Sequence, residues 1–321
     1  MAQTMTVSQT EEGTRLLRWF LRHFPSMPQR DFYRLCRGGQ IRVNSSRVRG
    51  NEVLRAGDLV RIPPTLGNFT TPPPPRATGG NLFSLADLEA LRQCIIHDDD
   101  DIVVFNKPAG LAVQGGTGIR KSVDKMAAAM YPYAKISLVH RLDRETSGVL
   151  VVAKTQMAAQ KLARAFQDKT THKEYLALLA GHVSVPRGTI DNYLIKGAVV
   201  DSPARINGGP RPQRAVTDYH VLGAAGNMTW VAFTPQTGRT HQLRLHSALC
   251  LHAPIVGDAL YGDGRHVDPA VASVVGTRHL FLFAHKITFQ HPTTGRLMTM
   301  RAVVPEFMMP VLKLLEFPIP E

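Results

Sequence analysis

The stretch H-R-L-D-R-E-T-S-G-V-L-V-V-A-K, residues 140–154, places a charged loop between two apolar runs. Upstream, Ile136–His140 is apolar and strand-like; downstream, Gly148–Ala153 (GVLVVA) is a second, buried-looking strand. Thr155 then stands where a helix would be capped, and Met157, Leu162, Ala165 and Phe166 share much of one face of that helix. Strand, loop, strand and helix in this order predict an α+β unit. A polar loop held by rigid strands is where an enzyme presents a reactive side chain. Asp143 is the candidate within it, although an isolated loop aspartate more often serves a turn or a cap.

The 321 residues leave room for two domains at ~150 residues each. With 44% hydrophobic and 20% charged residues the composition is globular and excludes a wholly disordered chain. No run reaches the ~18 apolar residues of a membrane span. The N-terminal MAQTMTVSQTEEG lacks the apolar core of an export signal. Cys36, Cys94 and Cys250 are few, odd in number and far apart, which argues against a disulfide framework and fits a reducing cytoplasm. The expectation is a cytoplasmic monomer without a membrane partner. A net charge of +13 calls for a polyanionic partner, and nucleic acid fits better than membrane because no basic amphipathic anchor stands out.

Most of that charge lies early. Between Thr14 and Ile62 there are eleven Arg and no Lys, against Asp31, Glu52 and Asp58. Leu17, Phe20, Leu21 and Phe24 give Thr14–Phe24 the stripe of a helix; Pro28–Arg37 reads as a second helix, stopped by Gly38-Gly39. Short strands are predicted at Gln40–Val43 and Asp58–Ile62. Arg15, Arg18 and Arg22 share one helical face, as do Arg30, Arg34 and Arg37. A charge run is usually a solvated face. Guanidinium forks match phosphate oxygens, so arginine alone on two successive helices favours RNA or DNA contact. Residues 1–13 read as a flexible tail. Residues 63–80, with six prolines and three glycines, read as a semi-rigid linker. A helix near Leu85–Gln93 opens the second domain, 81–321.

Two resemblances sharpen these readings. RGGQIRVNSSRV (37–48) and LRAGDLVRIPP (54–64), following two basic helices, resemble the small α/β RNA-binding domain named after ribosomal protein S-four. The match covers residues 14–62 and implies RNA contacts by Arg15, Arg18, Arg34, Arg37 and Arg42. The 140–154 stretch resembles the signature of the RluA-type pseudouridine synthases, HRLDxxTSG followed by an apolar strand and AK. Five more segments of that family occur in order: NKPAGLAV (106–113), KEYLALL (173–179), TGRTHQLRLH (237–246), PIVGDALYG (254–262) and AHKITFQHPTTG (284–295). The resemblance runs from about residue 95 to 305. VQGGTG (113–118) leans towards the C-type subgroup, which modifies large-subunit ribosomal RNA.

The family resemblance implies a largely antiparallel, mixed sheet with a central cleft. It implies an isomerase that breaks the N1–C1′ bond of a uridine, turns the base and joins C5 to C1′, so no redox cofactor or group donor is needed. Asp143 would be the essential carboxylate and Arg239 its ion-pair partner. Tyr175 would stack on uracil and serve the proton exchanged at C5. Arg141 would fill the space left by the extruded base, and His140 and Thr146 would join it in binding substrate. Two departures occur: Glu145 stands where Asp is usual, and Leu251-His252-Ala253 where a Leu-Gly-His-like turn is common.

Other constellations lose to plainer readings. Thr294-Gly295-Arg296 repeats the TGR triplet but follows HPT between strand-like runs and reads as a hairpin turn. Asp98–Asp101 points its side chains in alternating directions and reads as a solvated turn rather than a metal site. His241 and His246 are five apart, off the spacing of a helical zinc pair. Asp143 with Glu145 could mimic a glycosidase pair, yet 7% aromatics are few for a sugar cleft. Gly115-Gly116-Thr117-Gly118 has no glycine at the third glycine position of the G-x-G-x-x-G spacing of a dinucleotide loop. No metal and no cofactor are expected. The alternative function is an RNA-binding or ribosome-assembly module with an inactive synthase domain; the Asp143 carboxylate separates the two.

Overall fold

Leu16, Trp19 and Phe20 are fully buried along one face of a short N-terminal helix, and this face organises the arginine-rich part of the chain. The computed structural model describes residues 3–24, 27, 29–64, 83–116, 118–195, 197–203, 210–262, 267–275 and 279–320. Most of the expected linker lies outside them. The side chains of Gln3, Thr10, Arg22, Gln29, Arg30 and Val275 are likewise not described. Two compact units result, residues 1–82 and 83–321.

In the first unit, helices α1 (Leu16–His23) and α2 (Gln29–Arg37) pack on a sheet of β1 (Gln3–Thr6), β2 (Arg42–Val43), β3 (Ser46–Arg47) and β4 (Leu59–Ile62), ordered β1-β4-β2-β3. The stripe expected on α1 is rotated. Leu16 and Trp19 join Phe20 inside while Leu17 and Leu21 are only half-buried, because turning the helix about one residue brings the largest ring into the core. Of the expected tail, residues 1–13, the described part from Gln3 onward is ordered into the unit. β1 pairs antiparallel with β4 from Gln3↔Ile62 to Thr6↔Leu59, Val7 is 2% exposed, and Glu11 meets His23 Nε2 at 2.7 Å. Thr4, Thr6 and Val7 are β-branched and suit a pleated edge, which gives β4 its outer partner. Arg15, Arg18, Arg34 and Arg37 are exposed. Arg34 reaches Asp31 at 3.2 Å, and Arg42 is half-buried, donating to the carbonyls of Gly39 and Ser45.

The second unit follows α3 (Leu85–Gln93) with β5 (Ile95–Asp98), β6 (Ile102–Lys107), α4 (Val123–Met130), β7 (Ser137–Leu138), β8 (Ser147–Ala153) and α5 (Gln156–Gln167). Then come β9 (His172–Ala180), β10 (Arg187–Ile195), β11 (Ala198–Val200), β12 (Gln213–Ala225), β13 (Met228–Pro235) and α6 (Gln242–Leu245). The last elements are α7 (Pro269–Val275), β14 (Leu282–Gln290), β15 (Leu297–Arg301) and α8 (Met309–Leu314). Eleven strands form one sheet, ordered β11-β10-β12-β13-β9-β14-β8-β6-β5, with β15 beside β14 and β7 beside β8. Every described pairing is antiparallel except β14 with β8. This is the mixed, largely antiparallel sheet that the family resemblance implied.

The two faces of β8 explain its unbroken apolar run. Val149, Val151 and Ala153 join the core under Ala158 and Leu162 of α5, while Leu150 and Val152 join Val123, Met126 and Ala127 of α4 on the other side. A strand covered on both faces needs no polar alternation. The cap on α5 is as expected, Thr155 Oγ1 accepting from Ala158 N at 3.1 Å. Met157 is not on the buried face; it is 46% exposed and Ala158 takes that position. Among the described residues, no helix is long and apolar enough to cross a membrane.

The aspartates at 98–101 do more than solvate a turn. Asp98 accepts from Tyr131 Oη (2.5 Å) and Lys154 Nζ (2.8 Å); Asp101 accepts from Thr155 and Thr293. Asp99 accepts the backbone N–H groups of Asp101 and Ile102 and faces both His97 (2.6 Å) and His291 (3.1 Å). Together they fasten the β5–β6 turn to α5 and to the β14–β15 hairpin. Burial opposes ionisation of Asp99, but these hydrogen bonds hold its carboxyl down at about 2, against 3.8 ordinarily. A depressed carboxyl stabilises the fold above its unfolded value, and the contribution disappears as pH falls towards 2. Asp99→Asn is therefore expected to cost about 1–2 kcal/mol at pH 7, after allowance for partial exposure. Denaturant unfolding should show that gap closing between pH 4 and pH 2; an equal gap at both ends would contradict the assignment.

Candidate active site

Residues 140–146 leave β7 and enter β8 as a loop pinned from four sides. Thr146 N–H donates to the Asp143 carbonyl at 3.1 Å, closing a tight turn around Asp143-Arg144-Glu145. On one side, the Arg144 carbonyl accepts from Gly110 N–H (2.9 Å) and Arg144 Nε returns a bond to the Gly110 carbonyl (2.9 Å). Lys107, fully buried, donates to the carbonyls of Pro108 (2.8 Å), Leu111 (2.9 Å) and Arg144 (3.0 Å). Burial pushes this ammonium down to about 7, against the pull of Glu145 and Asp143. Three acceptors match the three protons of the charged form. NKPAGL is thus the brace beneath the loop.

The loop exit is fixed by contact of two backbones. Gly148 has φ +111°, and a Cβ there would lie 2.2 Å from the Ala284 carbonyl oxygen, where β8 meets β14 in parallel register. Only glycine fits, which explains its place after Thr-Ser. The loop entry is fixed by His140. Val151 N–H donates to its Nε2 at 2.9 Å and its ring stacks on Phe166 with centroids 4.7 Å apart. Burial, with Lys173 adding to it, pushes the imidazole down to about 3, so it stays neutral. His140 lines the cavity as a structural anchor rather than a charged contact.

Asp143 is 23% exposed at its side chain and opens into a cavity of about 370 Å³. That volume lies in the range of small-molecule sites. Arg141, Thr146, Tyr175 and Arg239 line the same cavity, so five of the expected site residues beside His140 converge there. Arg141 is exposed and has no hydrogen-bond or ion-pair partner among the described residues. Tyr175 projects from β9, opposite Phe233 of β13 and Ala284 of β14. Burial, reinforced by the Asp143 charge, raises its phenol well above the ordinary value and keeps it protonated.

The ion-pair partner of Asp143 is not Arg239. Arg239 Nε donates to the Arg214 carbonyl at 3.0 Å, and its guanidinium is outside ion-pair distance of the carboxylate. The cations at Asp143 Oδ2 are Arg244 Nη1 at 4.0 Å and, when protonated, His241 Nε2 at 3.8 Å. Backbone geometry decides between the two arginines. His241 adopts a left-handed conformation (φ +54°) that turns the chain into α6, so Arg244 faces inward and is 7% exposed. Gln242 secures that turn, accepting from Thr237 Oγ1 and Arg239 N–H and donating to Val216 and Thr217. Arg244 in turn makes a two-pronged pair with Asp258, at 2.7 and 2.6 Å, and lies over the Tyr261 ring at 5.1 Å. Tyr261 Oη meets His241 Nδ1 at 2.8 Å. The PIVGDALYG segment therefore orients both groups that face Asp143. TGRTHQLRLH carried the signal, but two arginines in one motif cannot be ranked without the turn between them.

The arrangement joins one carboxylate to a cavity whose other charged lining is cationic: Arg141, Lys173, Arg239 and Arg244. Such a site suits an anionic substrate and chemistry at an electrophilic carbon. The model of the RNA pseudouridylate synthase family matches residues 101–249. The chain is 36% identical over 302 residues to the Vibrio cholerae ribosomal large subunit pseudouridine synthase C, covering 94% of this chain and 92% of that one. It is 34% identical over 310 residues to the Haemophilus influenzae protein of the same name, covering 96% and 94%. Among solved structures, human RNA pseudouridylate synthase domain containing 4 matches with a TM-score of 0.60 and 26% identity, over 73% of this chain and 97% of that one.

Proposed function

The chain belongs to the RNA pseudouridylate synthases, and on that premise we propose that it isomerises specific uridines of large-subunit ribosomal RNA to pseudouridine with Asp143 as the essential carboxylate. The observation that carries the reading is Asp143 at the mouth of a 370 Å³ cavity, held between Arg244 and His241 and facing Tyr175. The target class rests on the name shared by relatives that match almost end to end.

Isomerisation breaks N1–C1′, forms C5–C1′, removes the C5 proton and leaves a proton on N1. Asp143 serves this either as nucleophile at C1′ or as base at the 2′ carbon; both routes need the ionised form. Tyr175 stacks on uracil and, held neutral, offers a hydroxyl for proton transfer at C5. Arg141, exposed at the rim, enters the duplex space that the flipped base vacates. The exposed Arg15, Arg18, Arg34 and Arg37 of the first unit hold RNA phosphates, as arginine forks do. Arg42, tied to its own hairpin, shapes that surface.

The test is pseudouridine formation by the purified full-length chain on a transcript of large-subunit ribosomal RNA, with no cofactor added. Tyr175→Phe is expected to keep KM within about threefold while kcat falls 10²–10⁴-fold, the usual range for a lost proton-transfer group. Turnover of Tyr175→Phe at the unsubstituted rate would leave the ring with a stacking role only.

A further inference from the structure

On β9, Lys173 and Tyr175 are two residues apart and therefore share a face, the face that lines the cavity. Glu174 between them points the other way and pairs with Lys286 at 3.0 Å. Lys173 is half-buried, yet its ammonium has no hydrogen-bond or ion-pair partner among the described residues. An unpaired ammonium held partly away from water is costly unless something anionic arrives. A small recess of about 20 Å³ adjoins the main cavity at this point and shares Phe166, Lys173 and Pro235 with it. Lys169, Thr171, His172, Thr234 and Gln236 complete its wall, and no carboxylate lines it. Lys169 sits in a left-handed turn (φ +57°) between α5 and β9, and neither it nor the Thr171 hydroxyl has a side-chain partner among the described residues.

We propose that this recess is a phosphate subsite, in which Lys173, with Lys169 at the rim, binds a phosphodiester group flanking the flipped uridine. The reading rests on the proposed function, since it needs a nucleotide in the main cavity. The dimensions and chemistry agree with it. The recess is too small for a base but can seat phosphate oxygens, and it opens beside the ring that would stack on uracil. An RNA strand must carry a phosphate on each side of a flipped nucleotide, so a charge at this edge reads the backbone without reading sequence. Lys173 is thus a positioning residue that sets how deep the nucleotide enters.

The experiment uses the full-length protein and a short RNA containing one uridine that the unsubstituted protein modifies. Lys173→Met is expected to raise KM about tenfold with kcat lowered less than threefold. It should also flatten the logarithmic salt dependence of binding by about 0.7, the share of one single-strand phosphate. Lys173→Arg should recover most of the loss. A methylphosphonate at one of the two phosphates flanking the uridine should cost the unsubstituted protein the same factor and cost Lys173→Met nothing further. This arm needs no folded variant to be decisive, and Lys173→Gln backs up Lys173→Met. Methylphosphonates at both positions that leave KM unchanged, or a Lys173→Met variant that loses kcat with KM intact, would overturn the proposal. If the unsubstituted protein forms no pseudouridine, the functional reading fails separately. The salt slopes of binding then still decide the subsite, an unchanged slope for Lys173→Met ruling it out.

Discussion

Asp143→Asn should abolish isomerisation, lowering kcat at least 10⁴-fold, while RNA affinity stays within a few-fold of the unsubstituted protein. The amide keeps the volume of the carboxylate but can neither attack C1′ nor take a proton. A 10⁴-fold loss corresponds to about 5 kcal/mol of transition-state stabilisation. The fold should tolerate the change. Arg244 retains its two-pronged pair with Asp258 at 2.6–2.7 Å, and the loop is held by Lys107, Gly110 and the Thr146 N–H, none of which bonds the Asp143 side chain. Single-turnover assays with the protein in excess over the RNA would read the loss directly. Substantial turnover by the purified variant would remove Asp143 from the chemistry.

The second large effect belongs to Arg244. Asp258 is 0% exposed and Arg244 7%, so Arg244→Met strands a buried carboxylate and removes the cation beside Asp143. Breaking such a pair typically costs about 3–5 kcal/mol. Activity should fall at least 10²-fold beyond what unfolding explains. Arg244→Lys should recover little, because an ammonium cannot engage Asp258 with two parallel bonds and still face Asp143. Pairing Arg244→Met with Asp258→Asn separates the two roles. The double variant should regain most of the lost stability, since no charge is left stranded, but should stay inactive. Thermal melts and kcat measured on the same preparations would show it; a double variant that regains activity would mean that Arg244 serves structure alone.

How much of this was legible in the chain depends on how local each decision is. The loop of residues 140–146, the doubly buried β8, the Thr155 cap and α3 follow from contiguous patterns, and each forms where expected. The cavity residues Asp143, Arg141, Thr146 and Tyr175 were legible through motif resemblance, and they converge. The pairing of Arg239 with Asp143 failed because which arginine faces inward turns on one left-handed residue, His241, whose conformation no neighbouring pattern announces. Residues 3–13 were misread because an edge strand of four residues has too short a period to stand out, and its partner β4 lies more than fifty residues away. The aspartates at 98–101 look solvent-bound in sequence because their partners, Tyr131, Lys154 and His291, arrive from three distant elements. Lys107 and His140 were likewise opaque. A lysine or histidine in a motif suggests chemistry, whereas here one serves three carbonyls and the other accepts a strand N–H.

The central claim is that this protein makes pseudouridine in large-subunit ribosomal RNA through Asp143. Its most direct test is a nucleotide-resolution pseudouridine map of ribosomal RNA from cells with the gene, without it, and without it but supplied with the Asp143→Asn form. One or more large-subunit pseudouridines should vanish on deletion, return with the unsubstituted gene and stay absent with Asp143→Asn. Identical maps in all strains, or restoration by Asp143→Asn, would contradict the account.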